Sequence, residues 1–168
     1  MESTTWRRGF AGAVTTTAVL AVPLARENRT MKQAGGKDIV GLQQAGSAAA
    51  VEALFAAWGD PGRAAARRSL RLDFAFAPAY GASLALLIQR TNRRHAARDL
   101  PARAAVALPV LAAVCDAAEG VAHLRLLDGE VTDRIARHGH RAAIAKFALL
   151  GLSIAHLVAR PALARRRP

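Results

Sequence analysis

Residues 104–124 read AAVALPVLAAVCDAAEGVAHL. The run is apolar and long enough to cross a hydrocarbon layer about 30 Å thick. It nevertheless carries Asp116, Glu119 and His123. At i, i+3 and i+7 these three share one helical face. An ionisable group left in lipid is expensive, so such a face turns toward a protein interior and a partner there. The rest of the chain must supply helices that cover it.

Three further runs can do so. Residues 72–89 contain Asp73, Pro78, Tyr80 and Gly81. Pro78 cannot donate to the carbonyl of Phe74, so a kink is predicted there. Residues 142–159 carry Lys146, Ser153 and His156. Residues 10–25 form a weaker run, with Thr15, Thr16 and Thr17 in its middle and Pro23 near its end. Arg7-Arg8 ahead of Phe10 is faintly twin-arginine-like, and Val19-Leu20-Ala21 resembles a cleavage site. A retained helix is preferred to a signal segment because more spans follow.

Residues 26–46 are polar and contain glycine, which reads as a loop. Residues 47–58 then form an amphipathic helix. Ser47 is its N-cap, and Val51, Leu54, Phe55 and Trp58 fall at i, i+3, i+4 and i+7. Gly59 stops it and Asp60-Pro61 starts the next helix. At about 12 residues it is too short to span. It should lie at the interface or cap the bundle, with Trp58 at headgroup depth. From Pro61 the helix runs on into residues 72–89, with Arg63, Arg67 and Arg71 as a solvated basic stripe. Residues 90–103 read as a basic loop and 125–141 as a mixed-charge loop. The expected fold is all-α: a polytopic membrane four-helix bundle with a short amphipathic interfacial helix, one membrane domain over residues 1–168.

A net charge of +12 would suit a nucleic-acid partner. Aromatic residues are only 5%, however, and the arginines cluster at the ends of the apolar runs, beside lipid headgroups. The expected partner is the bilayer, not nucleic acid. Cys115 is the only cysteine, which rules out an intramolecular disulfide. No P-loop, dinucleotide fingerprint, nucleophile elbow or paired-cysteine zinc motif is present. The basic 90–103 connection and the arginines at 165–167 fall on one side if the spans alternate. That argues for a multi-pass cell-membrane protein with cytoplasmic termini. The basic 26–71 segment argues the other way.

Alternation also sets depth. Asp73 lies just inside the start of its span. Asp116 and Glu119 lie two and one turns inside the end of theirs, and Lys146 one turn inside the start of its own. At about 1.5 Å per residue all four fall within roughly 5–12 Å of one surface. One reading is an ion pair: Lys146 neutralises Asp116 or Glu119 and fixes helix register. The other is a site. Three carboxyls facing one ammonium leave surplus acid, met by a proton held on one carboxyl or by a bound cation. Tyr80, at i+7 from Asp73, would floor it. Glu119 and His123, with Asp116 a turn below and His138 and His140 beyond, offer metal-ligand types. A second matching motif is missing, so no metal and no cofactor are expected. A haem between His123 and His156 conflicts with a depth difference of roughly 15–20 Å.

LDFAFAPAYG at 72–81, DAAE at 116–119 and KF at 146–147, together with the helix ending at Trp58, resemble a family of small uncharacterised bacterial four-span membrane proteins. The resemblance covers roughly residues 38–158. That pattern has Asn after the acidic pair, where this chain has Gly120. The resemblance implies a four-span bundle and no particular activity.

The function expected from the residues is an intramembrane polar pocket for a small or hydrophobic ligand. Acid–base chemistry such as isomerisation or cyclisation suits it. Asp116 or Glu119 would be the acid, Asp73 its partner and Lys146 the balancing charge, with Tyr80 and His123 on the ligand. The alternative is a non-catalytic scaffold, an accessory subunit or a small transporter. A protein partner or a second copy of the chain stays open.

Overall fold

A computed structural model describes residues 4–94 and 99–164. Residues 95–98 of the basic connection and the arginines at 165–167 lie outside the described residues. The described chain forms five helices: α1 (Thr4–Gly35), α2 (Ile39–Gln44), α3 (Ala48–Arg94), α4 (Leu100–Leu127) and α5 (Asp133–Ala164). Four of them are long and apolar enough to cross a membrane.

α3 is central. Its long second limb, residues 60–94, runs antiparallel to α1. Arg68 pairs with Glu27, Ser83 meets Thr17, and Arg90 lies over the Trp6 ring. On its other side α3 packs antiparallel to α4, and α4 packs antiparallel to α5. α5 closes back onto α3. The bundle is thus a three-helix core of α3, α4 and α5, with α1 applied to the outer face of α3.

Two kinds of packing hold it together. At one end the interior is built from large side chains. Met31, Leu42, Phe55, Trp58, Leu70, Leu126 and Leu127 are all buried together. Along the spans most buried apolar residues are small, among them Ala77, Gly81, Ala105, Ala112 and Ala143, with Ile88 the large exception. A Cβ on Gly81 would stand 3.1 Å from both the Ala113 side chain and the Pro109 carbonyl oxygen, so the two backbones nearly touch there. Small-residue interfaces of this kind are how helices associate where lipid removes the hydrophobic incentive. The large apolar side chains of the spans point outward instead. Val14, Val19, Val114, Ile144, Phe147, Leu152 and Ile154 are exposed, while Asp116, Glu119, His123 and Lys146 are buried. That inverted distribution is the pattern of a chain solvated by lipid.

Several expected boundaries are corrected. Residues 26–35 are not a loop but the continuation of α1. The first glycine in them is Gly35, the last residue of the helix; Met31 enters the large-residue core, and the helix ends only where Gly36 takes φ +76°. Residues 39–44 form α2, started by Asp38, whose carboxylate accepts from the Val40 amide at 3.0 Å. The 125–141 loop shrinks to residues 128–132, because α4 runs to Leu127 and α5 begins at Asp133. His138 and His140 are therefore helical. The break in α3 is at Gly59 (φ +56°, ψ −166°), a conformation open essentially to glycine alone. Helical dihedrals persist through Pro78, where the kink was predicted.

The amphipathic helix is the first limb of α3, residues 48–58. Ser47 caps it, accepting from the Ala50 amide. Asp133 reaches across from α5 to accept from the Ala48 amide at 2.8 Å. Val51, Leu54, Phe55 and Trp58 are all buried in protein. The Trp58 indole donates to the Lys37 carbonyl at 2.7 Å. Of the two expected placements, capping the bundle is the one adopted.

Candidate functional site

Beneath that cap lies the acid–lysine cluster. The antiparallel register of α4 and α5 brings Lys146 between the two acids of α4. Its Nζ is 2.7 Å from Asp116 Oδ1 and 2.6 Å from Glu119 Oε2. Lys146, Asp116 and Glu119 are 4%, 5% and 1% exposed. Charges this deep persist only when paired and hydrogen-bonded.

The remaining oxygens are met by neutral donors. The Tyr80 hydroxyl, from α3, donates to Asp116 Oδ2 at 2.9 Å. Gln43 Nε2, from α2, donates to Glu119 Oε1 at 2.7 Å. Asp73 is half-buried on α3, within electrostatic reach of Asp116, Lys146 and Glu119. The structure therefore brings Asp73, Tyr80, Asp116, Glu119 and Lys146 into one cluster drawn from three helices. Gly120, where the resemblance expects Asn, has the Phe74 ring packed over it. A Cβ there would stand 3.3 Å from the ring.

His123 joins the cluster only at its edge. Its Nδ1 is 3.7 Å from Glu119 Oε1, beyond hydrogen-bond reach, and the same oxygen accepts from Gln43. The ring is 1% exposed and packs on Gly139. Neither ring nitrogen has a hydrogen-bond partner among the described residues. Among those residues, too, no three His, Cys, Asp or Glu side chains are grouped to hold a metal ion. His156 lies at the far end of the bundle, where it bonds to Asn92 Oδ1 at 2.8 Å. Asn92 donates in turn to the Ala102 carbonyl at 2.6 Å.

One member was not found from sequence: Gln43 lay in a stretch read as a loop. His140, weighed from sequence only as a metal-ligand type, has its Nδ1 2.9 Å from the Gln43 carbonyl oxygen. His140 thereby ties α2 to α5 and holds the Gln43 amide over Glu119. The available signal was Asp38 followed by Ile39 and Leu42, a capped turn with i, i+3 apolar spacing.

Two grooves lie elsewhere. One, of about 970 Å³, opens between the end of α4 and the start of α5. The other, of about 470 Å³, lies between α2 and the first limb of α3. Neither is lined by the clustered acids or Lys146. No protein-family model matches the chain, and no curated protein or solved structure matches it either.

Proposed function

We propose that this multi-pass membrane protein carries an intramembrane acid–base site in which Asp73 exchanges a proton with a small or hydrophobic ligand arriving from the bilayer. Asp116 is its partner carboxyl, oriented by Tyr80 and Lys146. Glu119, held by Lys146 and Gln43, balances the remaining charge. The observation that carries this reading is the third acid. Lys146 already contacts two carboxylates, so a structural ion pair has no use for Asp73. Yet Asp73 is set against Asp116 and is the one of the three carboxyls that is not fully buried. Surplus acid in a low-dielectric setting is a reservoir for a proton or a cationic group.

A hydrophobic carbodiimide tests it. Such reagents attack carboxyls that carry a proton in apolar surroundings and leave a stable adduct. Intact-protein mass spectrometry should find one adduct on the parent, mapped to Asp73 or Asp116. Asp73→Asn should abolish it while leaving the melting temperature within a few degrees of the parent. Absence of any adduct at the cluster would remove the proton-exchange reading.

The second reading is a non-catalytic bundle pinned by the cluster. It draws support from the engagement of Asp116 and Glu119 by Lys146, Tyr80 and Gln43. On this reading Asp73→Asn changes neither labelling nor stability, whereas changes at Lys146 lower stability alone.

A further inference from the structure

The larger groove is built from two facing stripes. On α4, Ala118, Val121, Ala122 and Arg125 follow one another at i, i+3, i+4 and i+7. On α5, Arg134, Arg137, His138 and Arg141 repeat the same spacing. The His123–Gly139 contact sets the register of the two helices. It places Arg137 level with Arg125, and Arg141 level with Val121, one turn deeper.

The groove therefore has a charged mouth and an apolar floor. The floor, with Val121 half-exposed on it, lies at the depth of Glu119. From Ala118 to Arg125 is about 10 Å along the helix, which spans hydrocarbon to headgroup level.

The charge at the mouth is not cancelled. Arg125 is taken by Glu130, at 2.6 Å, and holds that carboxyl below its ordinary value through this hydrogen bond. Arg137 is taken by Asp133, at 3.2 Å. Arg134 and Arg141 have no carboxylate partner among the described residues. Both are exposed and both line the groove. Two unopposed guanidiniums, Arg134 at the mouth and Arg141 beside Val121, flank the apolar trough and match a phosphodiester carried on acyl chains. The guanidinium fork fits phosphate oxygens, and the trough fits the methylenes below.

We propose that this groove binds one anionic glycerophospholipid, its phosphate held by Arg134 and Arg141 and its acyl chain laid along Ala118 and Val121. Native mass spectrometry of the full chain, delipidated in a neutral detergent, tests it with three probes. Phosphatidylglycerol should give a stoichiometric adduct and raise the melting temperature. Phosphatidylcholine should give neither. Arg134→Gln with Arg141→Gln should weaken phosphatidylglycerol binding by about tenfold or more. It should leave the lipid-free melting temperature unchanged, since neither side chain has a partner to lose. Arg93→Gln with Arg94→Gln, at the opposite end, should leave binding at the parent level.

Equal binding of the two lipids, or equal loss in both double variants, would overturn the site in favour of unspecific attraction. Inorganic phosphate producing the same stabilisation as the lipid would overturn the lipid assignment and leave a free-anion site.

Discussion

Lys146 is one cation shared by two carboxylates, and its removal strands both. Lys146→Met should lower unfolding free energy by about 3 kcal/mol or more, because a buried carboxylate loses its counter-charge. Adding Glu119→Gln should recover part of that loss, since the amide is neutral and can still meet Gln43. Thermal unfolding of the four proteins in one detergent closes the cycle; strictly additive losses would mean that Lys146 and Glu119 are not energetically coupled. That these residues meet was legible before the structure, because alternating helices equate depth and buried charge turns inward. Gln43 was not legible. It sits in a six-residue helix too short to register as apolar periodicity, and its amide reaches a carboxylate 76 positions away. Depth arguments rank residues within spans and say nothing about a capping turn that folds back over them. His123 was placed on the acidic face by helical phase, and it does lie there, buried; what phase could not give is that its Nδ1 stops 3.7 Å from Glu119 Oε1.

At the scale of the element, what the sequence showed were the lipid-immersed parts of helices. α5 is the clearest case. Apolarity begins near Ala142, yet the helix starts at Asp133, and the intervening turns carry the charges expected above a membrane surface. The same cause hid the last turns of α1. In both places polarity marked the water boundary rather than the end of the helix. The early turns of α5 have a packing duty that a loop would not. Gly139 faces His123, and a Cβ at that position would stand 2.7 Å from Nε2 and 3.0 Å from Cδ2. Gly139→Ala should therefore force the two helices apart or push a buried ring aside, at a cost of about 1–3 kcal/mol. His123→Ala in the same chain should return part of that stability, because it empties the space the new methyl needs. If Gly139→Ala melts with the parent, the approach of α4 and α5 is looser there than the contact implies.

The whole molecule has a large-residue core at one end and small-residue helix contacts below it, and the division orders its topology. One end gathers the start of α1, the end of α3 and the start of α4, tied by the Trp6–Arg90 stacking and by Asn92 donating to the Ala102 carbonyl. The end of α5 joins them through Arg160, which pairs with Asp99 at 2.6 Å. The opposite end gathers the cap, the α4–α5 turn and the Arg67–Asp128 pair. Basic residues crowd both ends, so charge does not decide which faces the cytoplasm. Alternation itself is decided by the packing. Reporter domains fused after Arg94 and after Arg160 should thus emerge on the same side of the membrane, and one inserted at Gly129, in the turn between α4 and α5, on the other. A topology with Arg94 and Arg160 on opposite sides would require α4 or α5 not to cross, which would leave Asp116, Glu119 and Lys146 without the antiparallel neighbours that bury them. The three fusions therefore test the bundle and the cluster together, since the charges can be kept from lipid only if all three core helices traverse it.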